Sequence, residues 1–228
     1  MTIDELRRAI STHSQIVVVC GAGISTGAGL PDFKHLYRTT PNLVSALHNK
    51  SYKNHAKTLT RFLVHFANAK PQPTPTHAFL SRLESLKKLR RCYTMNIDDL
   101  ESQVLSRHKV RFVHGRVADT ARCGKTRVSS QNLLHMAAQN KIEQYNETHN
   151  CHLRPGFVMY GDAARHIDEM DADLQSASVI IVIGTRLQVE PVASMVRKHA
   201  AKVICINNEP IANLKTVVGD CNRICSQL

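Results

Sequence analysis

The stretch IVVVCGAGISTGAGLPDFK covers residues 16–34 and contains the signal that decides the fold. Its first five residues, Ile16 to Cys20, form an apolar, mostly β-branched run, which is typical of a parallel strand buried on both faces. The glycines that follow predict a tight turn into a helix, where backbone amides can approach a phosphate. The spacing is G-x-G-x-x-x-G, one residue longer than the usual dinucleotide fingerprint, so the turn alone is weak evidence for a nucleotide.

Four further apolar runs resemble the first strand and alternate with helical patterns. The predicted strands cover residues 91–96, 110–114, 179–184 and 202–207. Helical spacing of apolar residues predicts helices at 4–12, 76–89 and 191–201. Strands that alternate with helices indicate an α/β domain with a mostly parallel, Rossmann-like sheet.

Two stretches break this alternation and are predicted to form a second, smaller lobe. Residues 35–75 hold helical patterns and end in the proline-rich PQPTP, a predicted loop. Residues 117–154 are polar and rich in Asn, Gln and His. We therefore expect a single catalytic domain over residues 1–228, whose large lobe covers about 1–34, 76–116 and 155–228.

Charge is distributed unevenly along the 228 residues. The chain carries 30 Lys and Arg against 18 Asp and Glu, a net charge of +12, and residues 34–127 alone hold 19 basic and 5 acidic side chains, a net +14. A basic stretch favours acidic partners such as nucleic acid, acidic proteins or phosphate-bearing ligands, although a solvated basic surface is the simpler explanation. The longest apolar runs are too short for a membrane helix.

Seven cysteines occur at irregular spacing. Cys20, Cys92 and Cys205 lie in or beside apolar runs and are predicted to be small core residues. The N-terminus shows no secretory signal, so we expect an intracellular protein with reduced thiols.

Several short motifs downstream give the glycine turn its specificity. They are LPDFK (30–34), TMNIDDLE (94–101), VHG (113–115), LRPGFVMYGD (153–162), GTRLQVEPVA (184–193), INNEP (206–210) and GDC (219–221). With these motifs in this order over nearly the whole chain, the sequence resembles the sirtuins, the NAD-dependent protein deacylases. The resemblance implies a Rossmann-like large lobe, and a small lobe formed by a helical insertion and a zinc-ribbon insertion.

The resemblance implies a catalytic role for three residues. His114 would be the general base, and Asn96 and Asp98 would orient the ribose, a water and the nicotinamide carboxamide. An imidazole suits proton abstraction near neutral pH, since its ordinary pKa is about 6.5. Without the resemblance, His114 would be one of 13 histidines and Asn96 to Asp98 a polar turn before a helix.

The resemblance also implies where NAD and the acylated peptide bind. The residues that it assigns to NAD are Gly21, Ala22, Gly23, Ser25, Asp32, Phe33, Lys34, Met95, Asn96, Ile97, Asp98, Gly184, Thr185, Arg186, Asn207, Glu209 and Cys221. It assigns two segments to the peptide, which they would clamp by strand addition: Phe157, Val158, Tyr160 and Gly161, and Val189 with Glu190.

Finer roles follow for some of these residues. Ser25 and the amides around Gly23 would cradle the phosphates, and Phe33 would cover the reacting carbon. Cys221 would contribute a backbone contact only.

Three substitutions depart from the family pattern around the cofactor. Met95 stands where a glutamine usually binds a ribose hydroxyl, and a thioether cannot donate a hydrogen bond. The loss of one such bond costs about 0.5–1.5 kcal/mol, which weakens NAD use without abolishing it. Lys34 replaces an arginine and loses its bidentate geometry. Arg186 replaces a serine and could reach a phosphate.

The zinc ribbon is degenerate. Cys123 and Cys151 can be the first and last ligands of the usual four, but Thr126 and Thr148 stand at the other two positions. A nearby histidine could substitute, because imidazole binds zinc well. Loss of the zinc is the favoured alternative, and it would leave the small lobe soft.

Three functions remain open from the sequence. The favoured one is an NAD-dependent lysine deacylase, which transfers the acyl group to ADP-ribose and releases nicotinamide. The others are a weakened sirtuin that binds NAD or ADP-ribose as a sensor or scaffold, and an ADP-ribosyltransferase. We expect an acylated protein or peptide as substrate, no membrane partner, and chromatin DNA or an acidic protein on the basic stretch 34–127. A nuclear location is favoured over a cytoplasmic or mitochondrial one.

Overall fold

A computed structural model describes residues 1–31 and 33–228, and only the backbone of residues 33 and 34. The strands of its described part are β1 (Ile16–Cys20), β2 (Leu89–Thr94), β3 (Val110–Phe112), β4 (Ala121–Cys123), β5 (Thr126–Val128), β6 (Leu153–Arg154), β7 (Val179–Ile183), β8 (Val203–Asn207) and β9 (Lys215–Val218). The α-helices are α1 (Ile3–Thr12), α2 (Phe33–Thr39), α3 (Leu43–Ala46), α4 (Ala56–Ala67), α5 (Pro75–Ser85), α6 (Ser130–Ala138), α7 (Ile142–Thr148), α8 (Ile167–Ser176), α9 (Val192–Arg197) and α10 (Cys221–Cys225).

Six strands form one parallel sheet in the order β3-β2-β1-β7-β8-β9. Strand β1 lies in the middle, in register with β7 from Ile16 opposite Val179 to Cys20 opposite Ile183. The chain builds outward from β1 in one direction through β2 and β3, and later in the other direction through β7, β8 and β9. This reversal of strand order opens a crevice at the carboxyl ends of β1 and β7, where open α/β sheets bind ligands.

Alternate residues of β1 supply two hydrophobic cores, one on each face of the sheet. Ile16 and Val18 pack with helices α1, α5 and α10 in one cluster. Val17 and Val19 pack with helices α8 and α9 in the other. All five residues of β1 are fully buried, which explains why its sequence is a continuous apolar run.

A third hydrophobic cluster joins helices α3, α4, α6 and α7 to a small antiparallel sheet in the order β5-β4-β6. These elements come from the two stretches that the sequence predicts to form the small lobe, and the residue boundaries of that lobe stay a prediction. No described helix is long and apolar enough to cross a membrane.

The sequence predicts the central strands correctly and some element ends wrongly. The helix predicted over 76–89 ends at Ser85, because Lys87 takes a left-handed conformation (φ 57°), and Leu89 already begins β2. Strand β2 therefore starts and ends two residues earlier than expected. The helix predicted over 191–201 ends at Arg197 and continues as a short 3₁₀ turn at Ala200–Lys202.

Candidate functional site

A cleft of about 940 Å³ opens at the carboxyl ends of the parallel strands. One wall consists of the turns that follow β1, β2, β3, β7 and β8. The opposite wall includes Leu47 and Phe62 of the third hydrophobic cluster and the segment 157–162. The volume is large enough for a dinucleotide together with an extended side chain.

The glycine turn after β1 packs directly against the turn after β7. The Gly23 amide donates to the Gly184 carbonyl at 2.8 Å, and a Cβ on Gly23 would lie 2.7 Å from the Gly184 Cα. The amides of Ile24 and Ser25 also donate to backbone carbonyls within the turn. Ser25 is buried and does not line the cleft. Close packing of the two turns therefore accounts for these glycines, and the Gly23 amide is already occupied within the protein.

The His114 ring lines the cleft in a defined orientation. Its Nδ1 lies 3.0 Å from the Met95 carbonyl, a contact in which the ring nitrogen must donate. Nε2 is then the nitrogen that carries a lone pair in the neutral ring. Burial lowers the pKa of His114 below its ordinary value, while the bond to Met95 opposes this shift. The imidazole is thus neutral and able to accept a proton at neutral pH.

A buried hydrogen-bond chain fixes Asn96 beneath the cleft. The Glu101 Oε1 accepts from the Thr94 hydroxyl at 2.5 Å and from the Asn96 amide at 3.2 Å. The Thr94 Oγ1 also accepts from the Asn96 backbone amide at 3.0 Å. The Asn96 Nδ2 also donates to the Ser25 hydroxyl at 3.5 Å, so both of its hydrogens are used and Asn96 can offer its Oδ1 to a ligand.

Glu101 is fully buried, and its Oε2 has no hydrogen-bond partner among the described residues. Burial, together with the charge of nearby Asp98, raises the pKa of Glu101 to about 8. A protonated carboxylic acid explains how this side chain tolerates a site without a counter-ion. Glu101 could not be predicted as a site residue from the sequence, since one carboxylate in a polar turn carries no signal of burial.

Asp98 lies next to this chain but does not line the cleft. Its Oδ1 accepts from the Leu100 amide at 3.1 Å. Burial raises the pKa of Asp98, and the hydrogen bonds from Leu100 and Ser25 act in the opposite direction. The residue is therefore placed to support the turn from Asn96 to Asp99.

Met95 is mostly buried and also borders the cleft. Its side chain is 8 % exposed and packs in the second hydrophobic cluster, while the residue also lines the cleft. Its amide donates to the Cys20 carbonyl at 3.0 Å and its carbonyl holds His114. The backbone of Met95 thus links β1 to His114, and this link does not depend on which side chain stands at position 95.

Most other residues assigned to NAD line the cleft. These are Gly21, Ala22, Gly23, Asn96, Ile97, Gly184, Thr185, Arg186, Asn207 and Glu209. Arg186 forms an ion pair with Glu209, so its charge is partly neutralised before any phosphate is reached. Cys221 is buried, does not line the cleft, and lies 3.5 Å from the Ile206 carbonyl. Asp32 falls outside the described residues, as do the side chains of Phe33 and Lys34.

All six residues assigned to the peptide line the same cleft. The Val158 amide donates to the His114 carbonyl at 2.7 Å, and the Tyr160 amide donates to the Leu47 carbonyl at 2.8 Å. These bonds attach the 157–161 segment to both walls, so part of its backbone is not available for strand addition. On the other side of the cleft, Val189 is 40 % exposed although it is apolar.

Three polar residues that were not predicted from the sequence also line the cleft, namely Arg38, Gln188 and Asn208. Arg38 lies in α2 and makes no ion pair with any described residue. It is a cation within the cleft that no acidic side chain of the described chain neutralises. Its position depends on how α2 packs, which no motif indicates.

Cys123 and Cys151 are joined by a disulfide, with their Cα atoms 5.6 Å apart. This differs from the expectation of reduced thiols and from the tentative zinc ligands. Among residues 1–31 and 33–228, no group of three or more His, Cys, Asp or Glu side chains could hold a metal. Since a structural zinc needs four ligands, the residues present do not fit one. The other five cysteines are free and buried, which confirms Cys20, Cys92 and Cys205 as core residues.

Comparison with known proteins identifies the family. The model of the Sir2 family matches residues 21–191, which include the glycine turn, the Asn96 turn, His114 and the 157–162 segment. The chain belongs to the Sir2 family. A protein of Bacillus anthracis, an NAD-dependent protein deacetylase, is 31% identical over 216 residues, which cover 90% of this chain and 87% of that protein.

Other members of the Sir2 family give the same relationship. The NAD-dependent histone deacetylase SIR2 of Candida albicans is 32% identical over 99% of this chain and 49% of its own length. A Sir2 structure solved to explain the mechanism and regulation of these enzymes has a TM-score of 0.87, at 22% identity, over 99% of this chain and 95% of that one. The Rossmann-like α/β fold is therefore confirmed. The chain spans about half the length of the Candida relative and about a third of the length of a Drosophila melanogaster relative.

Proposed function

We propose that this member of the Sir2 family is an NAD-dependent protein lysine deacylase. The observation that carries the proposal is the His114 ring, neutral and held through Nδ1, in a cleft that nucleotide-side and peptide-side residues line together. The names of the relatives support it, because the proteins from Bacillus anthracis and Candida albicans are both NAD-dependent deacetylases.

The cleft residues fit NAD by their chemistry. Asn96 and Asn207 offer amides, Thr185 offers a hydroxyl, and Arg38 is an unpaired cation within the described chain that suits a pyrophosphate. When bound, NAD supplies an electrophilic ribose carbon that bears nicotinamide as a leaving group.

The residues of this chain would act around that carbon in separate roles. Asn96, oriented by Glu101, would hold the ribose side of the cofactor. The Nε2 of His114 would accept a proton from a ribose hydroxyl, while the Met95 carbonyl stabilises the imidazolium that forms. The apolar side chains of Phe157 and Val189 would contact the acylated lysine and exclude water from it.

The proposal is tested by incubating the folded protein with NAD and a panel of acyl-lysine peptides. We expect nicotinamide release that depends on the acyl peptide, and in His114→Ala we expect loss of turnover to O-acyl-ADP-ribose. NAD binding in calorimetry without any turnover would favour a sensor or scaffold. Nicotinamide release that needs no acyl group would favour ADP-ribosyl transfer.

Two further parts of the proposal concern partners and location. We propose that the basic stretch 34–127 contacts an acidic partner, either chromatin DNA or an acidic protein, and that the protein acts in the nucleus. The net +14 of this stretch and the histone deacetylase among the relatives support both. Binding to DNA should fall steeply with salt, whereas deacylation of a short peptide should persist.

A further inference from the structure

Three arginines lie side by side on the outer face of the small antiparallel sheet. In strand β4, Arg122 is paired with Arg127 of β5 and with Arg154 of β6. Residues directly opposite in an antiparallel sheet project from the same face, with Cβ atoms about 5 Å apart. The neighbours Ala121, Cys123, Val128 and Leu153 are buried, so the arginines occupy the solvent side.

Nearby acidic side chains do not neutralise all three of these arginines. Arg122 and Arg127 are exposed and make no ion pair with any described residue. Like charges directly opposite each other destabilise a sheet. An anion that binds between the guanidinium groups would remove this repulsion, since arginine pairs well with carboxylate and phosphate.

The arginines border a cavity of about 550 Å³. Of the residues that the structure describes, four with cationic side chains line it, namely Arg122, Arg127, Arg154 and Arg165, against two acidic ones. Asp162 is paired with Arg154, and Asp119 accepts from Arg165 at 2.6 Å. Two positive charges are therefore left over, and both belong to the arginines of the β4–β5 hairpin.

The cavity and the cleft described above border the same segment of the chain. Phe157, Val158 and Asp162 line both spaces. The Val158 amide is bonded to the carbonyl of His114, so this shared segment runs directly beside the candidate base. A polypeptide that lies along residues 157–162 would therefore have residues close to its acylated lysine near the arginine cavity.

We propose that the Arg122–Arg127–Arg154 face and its cavity bind acidic side chains of the substrate polypeptide, carboxylate or phosphate, close to the acyl-lysine. This inference rests on the proposed function and adds a preference for acidic substrates. The cavity shares Phe157, Val158 and Asp162 with the cleft in which the acylated peptide would lie. The observations therefore favour a polypeptide over a nucleic acid.

The test compares acetyl-lysine peptides with neutral, glutamate-containing, phosphoserine-containing or lysine-containing flanks, placed on either side of the acylated residue. We expect at least one acidic arrangement to raise kcat/KM about 5-fold over the neutral peptide at low salt, through KM. In the double variant Arg122→Glu/Arg127→Glu this ratio should fall to about one. Comparison of the glutamate and phosphoserine peptides separates the two sources of the anion.

A matched control carries the same charge change elsewhere. Arg61 and Arg107 are exposed and line neither cavity, so Arg61→Glu/Arg107→Glu should keep the acidic preference. No preference in the wild type, or equal loss in both double variants, would overturn the proposal. A nucleic-acid surface would be indicated instead if the Arg122/Arg127 variant lost duplex DNA binding without any change in peptide preference.

A binding measurement separates this inference from the deacylase proposal. Fluorescence anisotropy of the labelled acidic and neutral peptides does not require turnover. If no peptide is deacylated but the acidic peptide binds more tightly to the wild type than to Arg122→Glu/Arg127→Glu, only the deacylase proposal fails. If neutral peptides are deacylated and acidic ones bind no better, only the arginine site fails.

Discussion

At the scale of single residues, the His114 ring is held by a backbone carbonyl and would carry out the proton transfer in the cleft. Its Nδ1 is held by the Met95 carbonyl, and burial lowers its pKa. Protonation at low pH removes the lone pair on Nε2, so activity should be lost as the pH falls through the pKa of this residue. We expect the acid limb of the pH–rate profile to have its midpoint below about 6.5. A midpoint above 7 would contradict this assignment.

Met95 is the residue most easily tested for its effect on the cofactor. Met95→Gln adds a donor and an acceptor in the cleft while it keeps the backbone carbonyl that holds His114. One added hydrogen bond to NAD should lower its KM by about 2- to 10-fold. Met95→Leu is the matched control and should leave the KM near that of the wild type. Equal KM values for Met95→Gln and the wild type would show that this position does not contact NAD.

Glu101 gives a prediction for stability rather than for rate. The carboxyl is protonated in the folded protein up to a pH of about 8, but ionises near pH 4.5 when unfolded. The unfolded state therefore binds fewer protons in this range, and stability falls as the pH rises, at most by about 1.4 kcal/mol per pH unit. Glu101→Gln should remove this slope, as urea unfolding at several pH values would measure. A parallel pH dependence for both proteins would argue against a buried neutral acid.

At the scale of secondary-structure elements, the Cys123–Cys151 disulfide takes the place expected for the zinc ribbon. It joins β4 to the residues just before β6 and closes a loop of sequence separation 28. Reduction should cost about 3–4 kcal/mol of unfolding free energy through the freedom regained by the unfolded loop. Thermal unfolding with and without reductant measures this loss, and Cys123→Ser/Cys151→Ser should not respond to reductant. One equivalent of zinc in the purified protein would contradict the disulfide.

The sequence predicts strands correctly where both faces of the strand are buried, and it fails where contacts between distant residues determine the structure. Strands β1, β7 and β8 are apolar throughout because both of their faces are covered. Strand β9 was not predicted, since Val217 is its only buried residue and the alternation is too short to recognise. The row of arginines across β4, β5 and β6 could not be predicted from the sequence either, because these residues are brought together only by strand pairing.

At the scale of the whole molecule, the order of strands places the cleft where the motifs require it. The glycine turn, the Asn96 turn, His114 and the turn after β7 are far apart in sequence, yet parallel strands bring their carboxyl ends to one edge. Their convergence could be predicted from the sequence through the family resemblance. The hydrogen bonds among Thr94, Asn96 and Glu101 could not, since they depend on how the turn after β2 folds inward.

The net charge of +12 has a more specific meaning in the folded chain. Part of the basic stretch is used in ion pairs, for example Arg91 with Asp173 at 2.7 Å and Arg111 with Glu169 at 2.6 Å. Arg122 and Arg127 stay unpaired within the described residues and lie beside the candidate peptide segment. Two of the excess positive charges therefore lie where they would select the substrate.

The central claim, deacylation coupled to consumption of NAD, is tested most directly by identifying the products by mass spectrometry. The wild-type protein, incubated with NAD and an acetyl-lysine peptide, should yield deacetylated peptide, nicotinamide and O-acetyl-ADP-ribose in equal amounts. His114→Ala, which lacks the base, should yield none of the last product. Free ADP-ribose or ADP-ribosylated protein, with the acetyl group still on the peptide, would contradict the claim.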